Sequence, residues 1–135
     1  MKLNEKQLAM VDAQIKRLIK TDSYYGKMYR DAGIDGVSSQ EDFEKLPFSS
    51  KADLRYAYPL GIQAVPDEEV VRIHSSSGTT GKSVIIPYTA KDVDDWSLMI
   101  ARCYEMAGIT NKDRIQITAG YGLWTAGIGF QAGCE

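Results

Sequence analysis

The polar loop at residues 75–82 contains residue types that could bind a ligand or take part in a reaction. Its sequence, SSSGTTGK, contains three serines, two threonines, two glycines and one lysine. Hydroxyl and backbone N–H groups donate hydrogen bonds, and lysine adds a positive charge. Glycine lets a phosphate approach the main chain closely and adopts the positive φ of anion-binding turns. The loop could therefore wrap a triphosphate without a buried carboxylate.

Two other interpretations of this segment stay open on spacing alone. Gly81-Lys82-Ser83 matches the end of a Walker A loop, GxxxxGK[ST], but Ser76 stands where the first glycine should be. A Walker A loop also opens a helix, whereas the following Val84-Ile85-Ile86-Pro87 is typical of a strand. The second interpretation is an ordinary hydrophilic turn, although two residues are enough for a hairpin turn and eight are used here.

The elements that must position the loop are predicted on both sides of it. Short β-branched runs predict strands at Glu69 to His74 and at Ser83 to Thr89. Thr89 then caps an amphipathic helix that ends at Gly108. Arg114 to Thr118 predicts a third strand, and a Gly-rich segment and a helix of small residues follow. The order strand, loop, strand, helix, strand predicts an α/β fold.

The first part of the chain has a different character. Apolar residues at three- and four-residue spacing predict an amphipathic helix from Asn4 to Thr21. Three shorter helices are indicated from Tyr24 to Gly33 and after the capping residues Ser39 and Ser50. We therefore expect a helical region at residues 1–65 and an α/β region at residues 66–135.

Composition excludes several classes of protein. A length of 135 residues allows one domain or a piece of one. The content of 44% hydrophobic and 25% charged residues is typical of a globular protein and disfavours disorder. A net charge of −2 gives no basic excess for nucleic acid, and no apolar run is long enough to cross a membrane. The two cysteines form no CxxC pair, and no metal site is predicted, so Cys134 is interpreted as a buried cysteine. Such sparse use of cysteine favours a reducing compartment, and we expect the cytoplasm.

Several segments together resemble one family. Ser77-Gly78-Thr79-Thr80-Gly81-Lys82 resembles the phosphate-binding loop of the adenylate-forming superfamily of acyl- and aryl-CoA synthetases. Within that superfamily, the neighbouring segments resemble phenylacetate-CoA ligases over about residues 23–135. These segments are Leu46-Pro47-Phe48, Tyr58-Pro59, Val71-Arg72-Ile73-His74, Tyr88-Thr89, Asp95-Trp96 and Tyr121-Gly122-Leu123.

The resemblance implies an enzyme that uses ATP, Mg²⁺ and coenzyme A. It would convert an aryl carboxylate, typically phenylacetate, to an acyl-adenylate and then to the CoA thioester. The residues that match the family's phosphate-binding positions are Ser76, Ser77, Gly78, Thr79, Thr80, Gly81 and Lys82. Tyr121, Gly122 and Trp124 resemble the wall of the family's aryl pocket, and packing in the core is the alternative for Tyr121 and Trp124. Because the family usually has Tyr-Gly-Tyr-Gly-Leu-Phe where this chain has AGYGLW, the acyl substrate stays open.

The end of the sequence adds a further expectation. The chain stops at Gly133-Cys134-Glu135 inside a Gly-rich apolar run, which predicts an N-terminal fragment of a longer ligase that is inactive alone. Exposure of that run predicts self-association, with a homodimer expected.

The alternative function is a non-catalytic interaction domain in which the loop is only a connector. His74, the single histidine, is predicted to make a hydrogen bond that supports the loop, with a catalytic or nucleotide-orienting role as the alternative.

Overall fold

The computed structural model describes residues 2–79 and 81–135. The chain divides into two compact units, Met1–Val65 and Pro66–Glu135.

The first unit is helical because each apolar face is preceded by a residue that can cap a helix. Its four helices are α1 (Glu5–Leu18), α2 (Tyr24–Asp31), α3 (Gln40–Glu44) and α4 (Lys51–Tyr56). The Asn4 side chain accepts a hydrogen bond from the Gln7 backbone N–H, and the Gln7 side chain bonds back to the Asn4 backbone. This reciprocal capping box satisfies two N–H groups that a helix start leaves unpaired. The four predicted helices are confirmed.

Two polar side chains tie the helices of the first unit together around a small core that includes Ile15 and Val37. Asp12 on α1 accepts a hydrogen bond from the Val37 backbone N–H at 2.9 Å. The Tyr24 hydroxyl on α2 donates to Asp53 Oδ1 on α4 at 2.6 Å. This bond to Asp53 raises the pKa of Tyr24 to about 12, and it lowers the pKa of Asp53 to about 2.

The second unit begins with an antiparallel hairpin. A 3-10 turn at Asp67–Glu69 leads into β1 (Val70–Ser75), which pairs with β2 (Ile85–Thr89). Ser75 lies opposite Ile85 at one end of the ladder, and a bulge between Val70 and Arg72 interrupts it at the other. The two strands are thus confirmed, each within two residues of its predicted bounds, and the polar loop connects them.

Two helices follow the hairpin, α5 (Ala90–Met106) and α6 (Ala126–Ala132). Thr89 and Asp92 form a capping box at the start of α5. Glycines let α6 approach α5 closely, because a Cβ atom at Gly129 would overlap the ring of Trp96 and one at Gly133 would overlap Ile100.

The prediction of a third strand at Arg114 to Thr118 was wrong. The segment carries no strand, and in the part of the chain that the structure describes, the sheet consists of β1 and β2 alone. A strand exists only where a neighbour completes its hydrogen bonds, so alternating Ile115 and Ile117 are not sufficient by themselves. Ile115 is 40% exposed.

The prediction that Cys134 is buried was also wrong. Cys134 and Cys103 are free and exposed, and the Cys134 thiol donates to the Phe130 carbonyl at 3.1 Å. Cys134 lies beyond the last residue of α6, where no element of the described chain covers it.

Among the described residues, no helix combines the length and apolar character needed to cross a membrane.

Candidate functional site

Ser76 and Val84 close the base of the polar loop, and we call this pair the loop neck. The Ser76 N–H donates to the Val84 carbonyl at 2.9 Å, and the Val84 N–H donates to Ser76 Oγ at 2.9 Å. Val84 is 5% exposed, so its N–H needs a protein partner. The structure therefore gives the Ser76 hydroxyl, predicted only as a phosphate ligand, a role in closing the loop, and leaves its hydrogen to donate elsewhere.

Two glycines set the path of the loop. Gly78 has φ of 67° and Gly81 has φ of 130°, and the Gly81 N–H donates to the Gly78 carbonyl at 3.1 Å. A Cβ atom at Gly78 would lie 2.5 Å from Ser83 Oγ and 3.2 Å from the Gly81 carbonyl oxygen. Gly78 is therefore required by both conformation and space, whereas Gly81 is required by conformation alone.

The remaining predicted ligands lie on the open side of the loop. Ser77, Thr79 and Lys82 are exposed, so their hydroxyl and ammonium groups can reach an anion. Thr80 was also predicted as a phosphate ligand and lies outside the described residues. The described donors thus lie within one short loop, and their chemistry suits an anion with several oxygens.

The Walker A interpretation requires a helix directly after the loop. The structure has Val84 in the loop neck and then strand β2 from Ile85, so the helix N-terminus that would hold phosphates in a Walker A site does not follow the loop. The strand predicted from the β-branched residues is correct, and the Walker A alternative is rejected.

His74 is the buried polar side chain next to the loop. It is 3% exposed and lies edge-on to the rings of Tyr88 and Trp96, with ring centroids 5.4 and 5.3 Å away. Its Nδ1 atom lies 3.1 Å from the Leu123 carbonyl oxygen, and the neighbouring Ser75 N–H donates to the same oxygen at 2.7 Å. The hydrogen bond of His74, predicted as one that supports the loop, thus goes to the backbone carbonyl of Leu123.

Of the three predicted pocket residues, one lines a cavity and two do not. Trp124 lines an apolar cavity of about 190 Å³ between α5 and α6, together with Trp96, Ile100 and Phe130. Tyr121 is 56% exposed and does not line this cavity, and a Cβ atom at Gly122 would meet nothing within 4 Å. The structure therefore places Trp124, itself 53% exposed, at the edge of an apolar cavity, and it leaves Tyr121 and Gly122 outside that cavity.

A metal site built from protein side chains is not found in residues 2–79 and 81–135. No three His, Cys, Asp or Glu side chains of those residues lie close enough to hold an ion. A magnesium ion at the loop would therefore depend on the phosphate oxygens of a bound nucleotide, a common arrangement for Mg²⁺.

Comparison with known sequences agrees with the resemblance. The chain is 39% identical over 135 residues to the phenylacetate-coenzyme A ligase of Pseudomonas putida, a match that covers 98% of this chain and 31% of the relative. It is 42% identical over 123 residues to that of Escherichia coli K12, covering 90% and 28%. The chain thus spans about 30% of the length of these relatives. No protein-family model matches the chain.

Comparison with known structures agrees with the predicted fold class. Two structures of 2-hydroxyisobutyryl-CoA ligase match 96% of this chain and 28% and 29% of their own. One is the postadenylation state with 2-HIB-AMP, with a TM-score of 0.80 at 25% identity. The other holds 2-HIB-AMP and CoA in the thioesterification state, with a TM-score of 0.81 at 27% identity. The chain is therefore related, along nearly its whole length, to part of a phenylacetate-CoA ligase and shares the α/β fold of adenylate-forming CoA ligases.

Proposed function

We propose that this chain supplies the ATP phosphate-binding loop of a longer aryl-CoA ligase. The observation that carries the proposal is the polar loop itself. Its neck is closed by Ser76 and Val84, its path requires positive φ at Gly78 and Gly81, and its donors remain exposed. Two residues are enough to connect two antiparallel strands, whereas this loop uses eight polar or glycine residues.

The proposed reaction has two steps. A carboxylate oxygen of the acid attacks the α-phosphorus of ATP, the bond to the β-phosphate breaks, and pyrophosphate leaves. The sulfur of coenzyme A then attacks the acyl carbon and loses its thiol proton, the bond between the acyl carbon and the AMP oxygen breaks, and AMP leaves with the electron pair of that bond. The first step moves negative charge onto pyrophosphate.

The loop is suited to stabilise that developing charge. The Thr79 hydroxyl and Lys82 ammonium group would donate to the departing phosphates, and preorganised donors cost no rearrangement during the reaction. Mg²⁺ would supply further positive charge when it arrives with the nucleotide. Ser76, Ser77, Thr80 and the backbone of Gly78 and Gly81 complete the proposed phosphate ligands.

The acid is proposed to be a small aryl carboxylate. The curated relatives are phenylacetate-coenzyme A ligases, and Trp124 lines an apolar cavity of about 190 Å³. Tyr121 and Gly122 are proposed to line the acyl pocket with Trp124. Residues 1–65 would then form a helical region and residues 66–135 the start of the adenylation domain. The homodimer and the cytoplasmic location expected from the sequence remain predictions.

Isotope exchange tests the proposed function. In the full-length protein, labelled pyrophosphate should enter ATP only when an aryl carboxylate is present. Thr79→Ala and Lys82→Ala should each lower the exchange rate at least about tenfold, because each removes a donor to the developing charge. Lys112→Ala is the matched control, since it removes an exposed lysine outside the loop. Unchanged exchange in both loop variants would favour the non-catalytic interaction domain.

A further inference from the structure

We propose that His74 is a positioning residue that holds the Tyr121–Trp124 segment against the base of the polar loop. We call the pair of hydrogen bonds from His74 and Ser75 to Leu123 the carbonyl clamp. The proposal rests on the proposed function, because it assigns the clamp to the alignment of the acid with ATP.

The partner atom fixes the tautomer of His74. A backbone carbonyl oxygen can only accept hydrogen bonds, so the Nδ1 atom at 3.1 Å must carry the proton. In the neutral imidazole, Nε2 then has an unshared electron pair. Nε2 is buried and has no hydrogen-bond partner among the described residues.

This arrangement is a poor solution for packing alone. Leaving a polar atom buried and unpaired costs free energy, and an apolar ring of similar size between Tyr88 and Trp96 would avoid that cost. A histidine at this position is explained if its Nδ1–H is needed for the Leu123 carbonyl. Residues that keep such a cost are commonly found at functional sites.

The clamp joins the two candidate ligand segments directly. Its donors are the last two residues of β1, and the next residue, Ser76, forms the loop neck. Its acceptor lies between Gly122 and Trp124, and 49 positions separate His74 from Leu123 in the sequence. A small change in the clamp would therefore displace the pocket segment relative to the phosphate loop.

The loop neck does not depend on the clamp. Ser76 and Val84 hold each other through two hydrogen bonds of their own. Loss of the His74 donor should consequently disturb the acid more than the nucleotide, because the loop keeps its closure while the pocket segment loses one of its two anchors.

The tautomer can be measured in the 135-residue chain. Because His74 is the single histidine, a long-range ¹H–¹⁵N spectrum of the imidazole needs no assignment by mutation. We expect a protonated Nδ1 and an unprotonated Nε2 in the neutral form. A proton on Nε2 with a bare Nδ1 would remove the donor and overturn the proposal. This spectrum does not depend on activity, so it tests the clamp even if the ligase assignment fails.

Substitutions test what the clamp does in the full-length protein. His74→Gln shifts the donor away from the Nδ1 position, and we expect the KM for the acid to rise about tenfold while the KM for ATP changes less than about threefold. His74→Asn places its amide N–H near the Nδ1 position and should recover most of the loss. Ser97→Ala is the matched control, because it removes one side-chain bond to a backbone carbonyl, that of Val93, elsewhere in the same unit.

The outcomes separate the two proposals. If pyrophosphate exchange is absent in the unmodified protein, the proposed function fails and the spectrum alone decides the clamp. If exchange is present but His74→Gln changes neither KM nor kcat relative to Ser97→Ala, the positioning role is wrong. An equal rise in both KM values would also contradict it, because loss of an anchor of the pocket segment should affect the acid more than ATP.

Discussion

Ser76→Ala tests the structure of the polar loop through one atom. The substitution removes the Oγ atom that accepts the Val84 N–H at 2.9 Å, while the backbone bond from Ser76 to Val84 can remain. Val84 is 5% exposed, so water replaces the lost partner poorly. A buried donor left unsatisfied costs about 1–3 kcal/mol. At about 1.36 kcal/mol per tenfold change, that cost corresponds to roughly 5- to 150-fold in an equilibrium constant.

Hydrogen exchange at the Val84 amide is the appropriate assay. In the 135-residue chain, Ser76→Ala should increase the exchange rate of this amide by roughly 5- to 150-fold, because opening of the hairpin becomes easier by the same free energy. Ser77→Ala removes a neighbouring exposed hydroxyl and should change the exchange rate little. Equal exchange in both variants would refute the role of Ser76 in closing the loop neck.

Three further predictions concern the packing of the second unit and the pH dependence of the stability of the first. Gly129→Ala should lower the free energy of unfolding by about 1–3 kcal/mol in urea, because the added methyl group overlaps the Trp96 ring, whereas Gly120→Ala adds a methyl group in open space and should not. Folding lowers the Asp53 pKa from 3.8 to about 2, so the ionised carboxylate stabilises the folded state. This contribution to the free energy of unfolding is complete above about pH 4 and is lost as the pH falls towards 2. Tyr24→Phe should weaken this loss, since the hydroxyl at 2.6 Å is the largest cause of the shift, and an unchanged acid dependence of urea unfolding would contradict that cause. The Tyr24 pKa is raised from 10 to about 12, so the stability gained from the neutral phenol should disappear as the pH rises through that range.

Local signals were enough to predict most of the helices and the hairpin. Asn4, Ser23, Ser39 and Thr89 each accept a hydrogen bond from the third residue of the helix that follows, as their types and positions predict. These interactions involve residues only three positions apart. They can therefore be recognised in the sequence without knowledge of the tertiary structure.

The errors arise where structure depends on distant partners. Arg114 to Thr118 has the alternation of a strand, but alternation cannot supply the neighbour that completes its hydrogen bonds. Cys134 belongs to a residue type that is usually buried, but its position beyond the end of α6 leaves it exposed.

The residue types of the candidate site could be predicted from the sequence, but the hydrogen bonds that hold the site together could not. The glycines and hydroxyls of the polar loop indicate anion binding by their types alone, whereas the second role of Ser76 depends on the position of Val84. The partner of His74 is a backbone carbonyl of Leu123, 49 positions away, and a carbonyl group has no signature in a sequence. Contacts of this kind require the fold.

Pyrophosphate exchange with phenylacetate tests the central claim most directly. The full-length protein should incorporate labelled pyrophosphate into ATP when phenylacetate or a related aryl acid is added, and Lys82→Ala should reduce the rate at least about tenfold relative to Lys112→Ala. Absence of exchange in the unmodified protein with every aryl and short acyl acid would contradict the assignment of this chain to an adenylate-forming ligase.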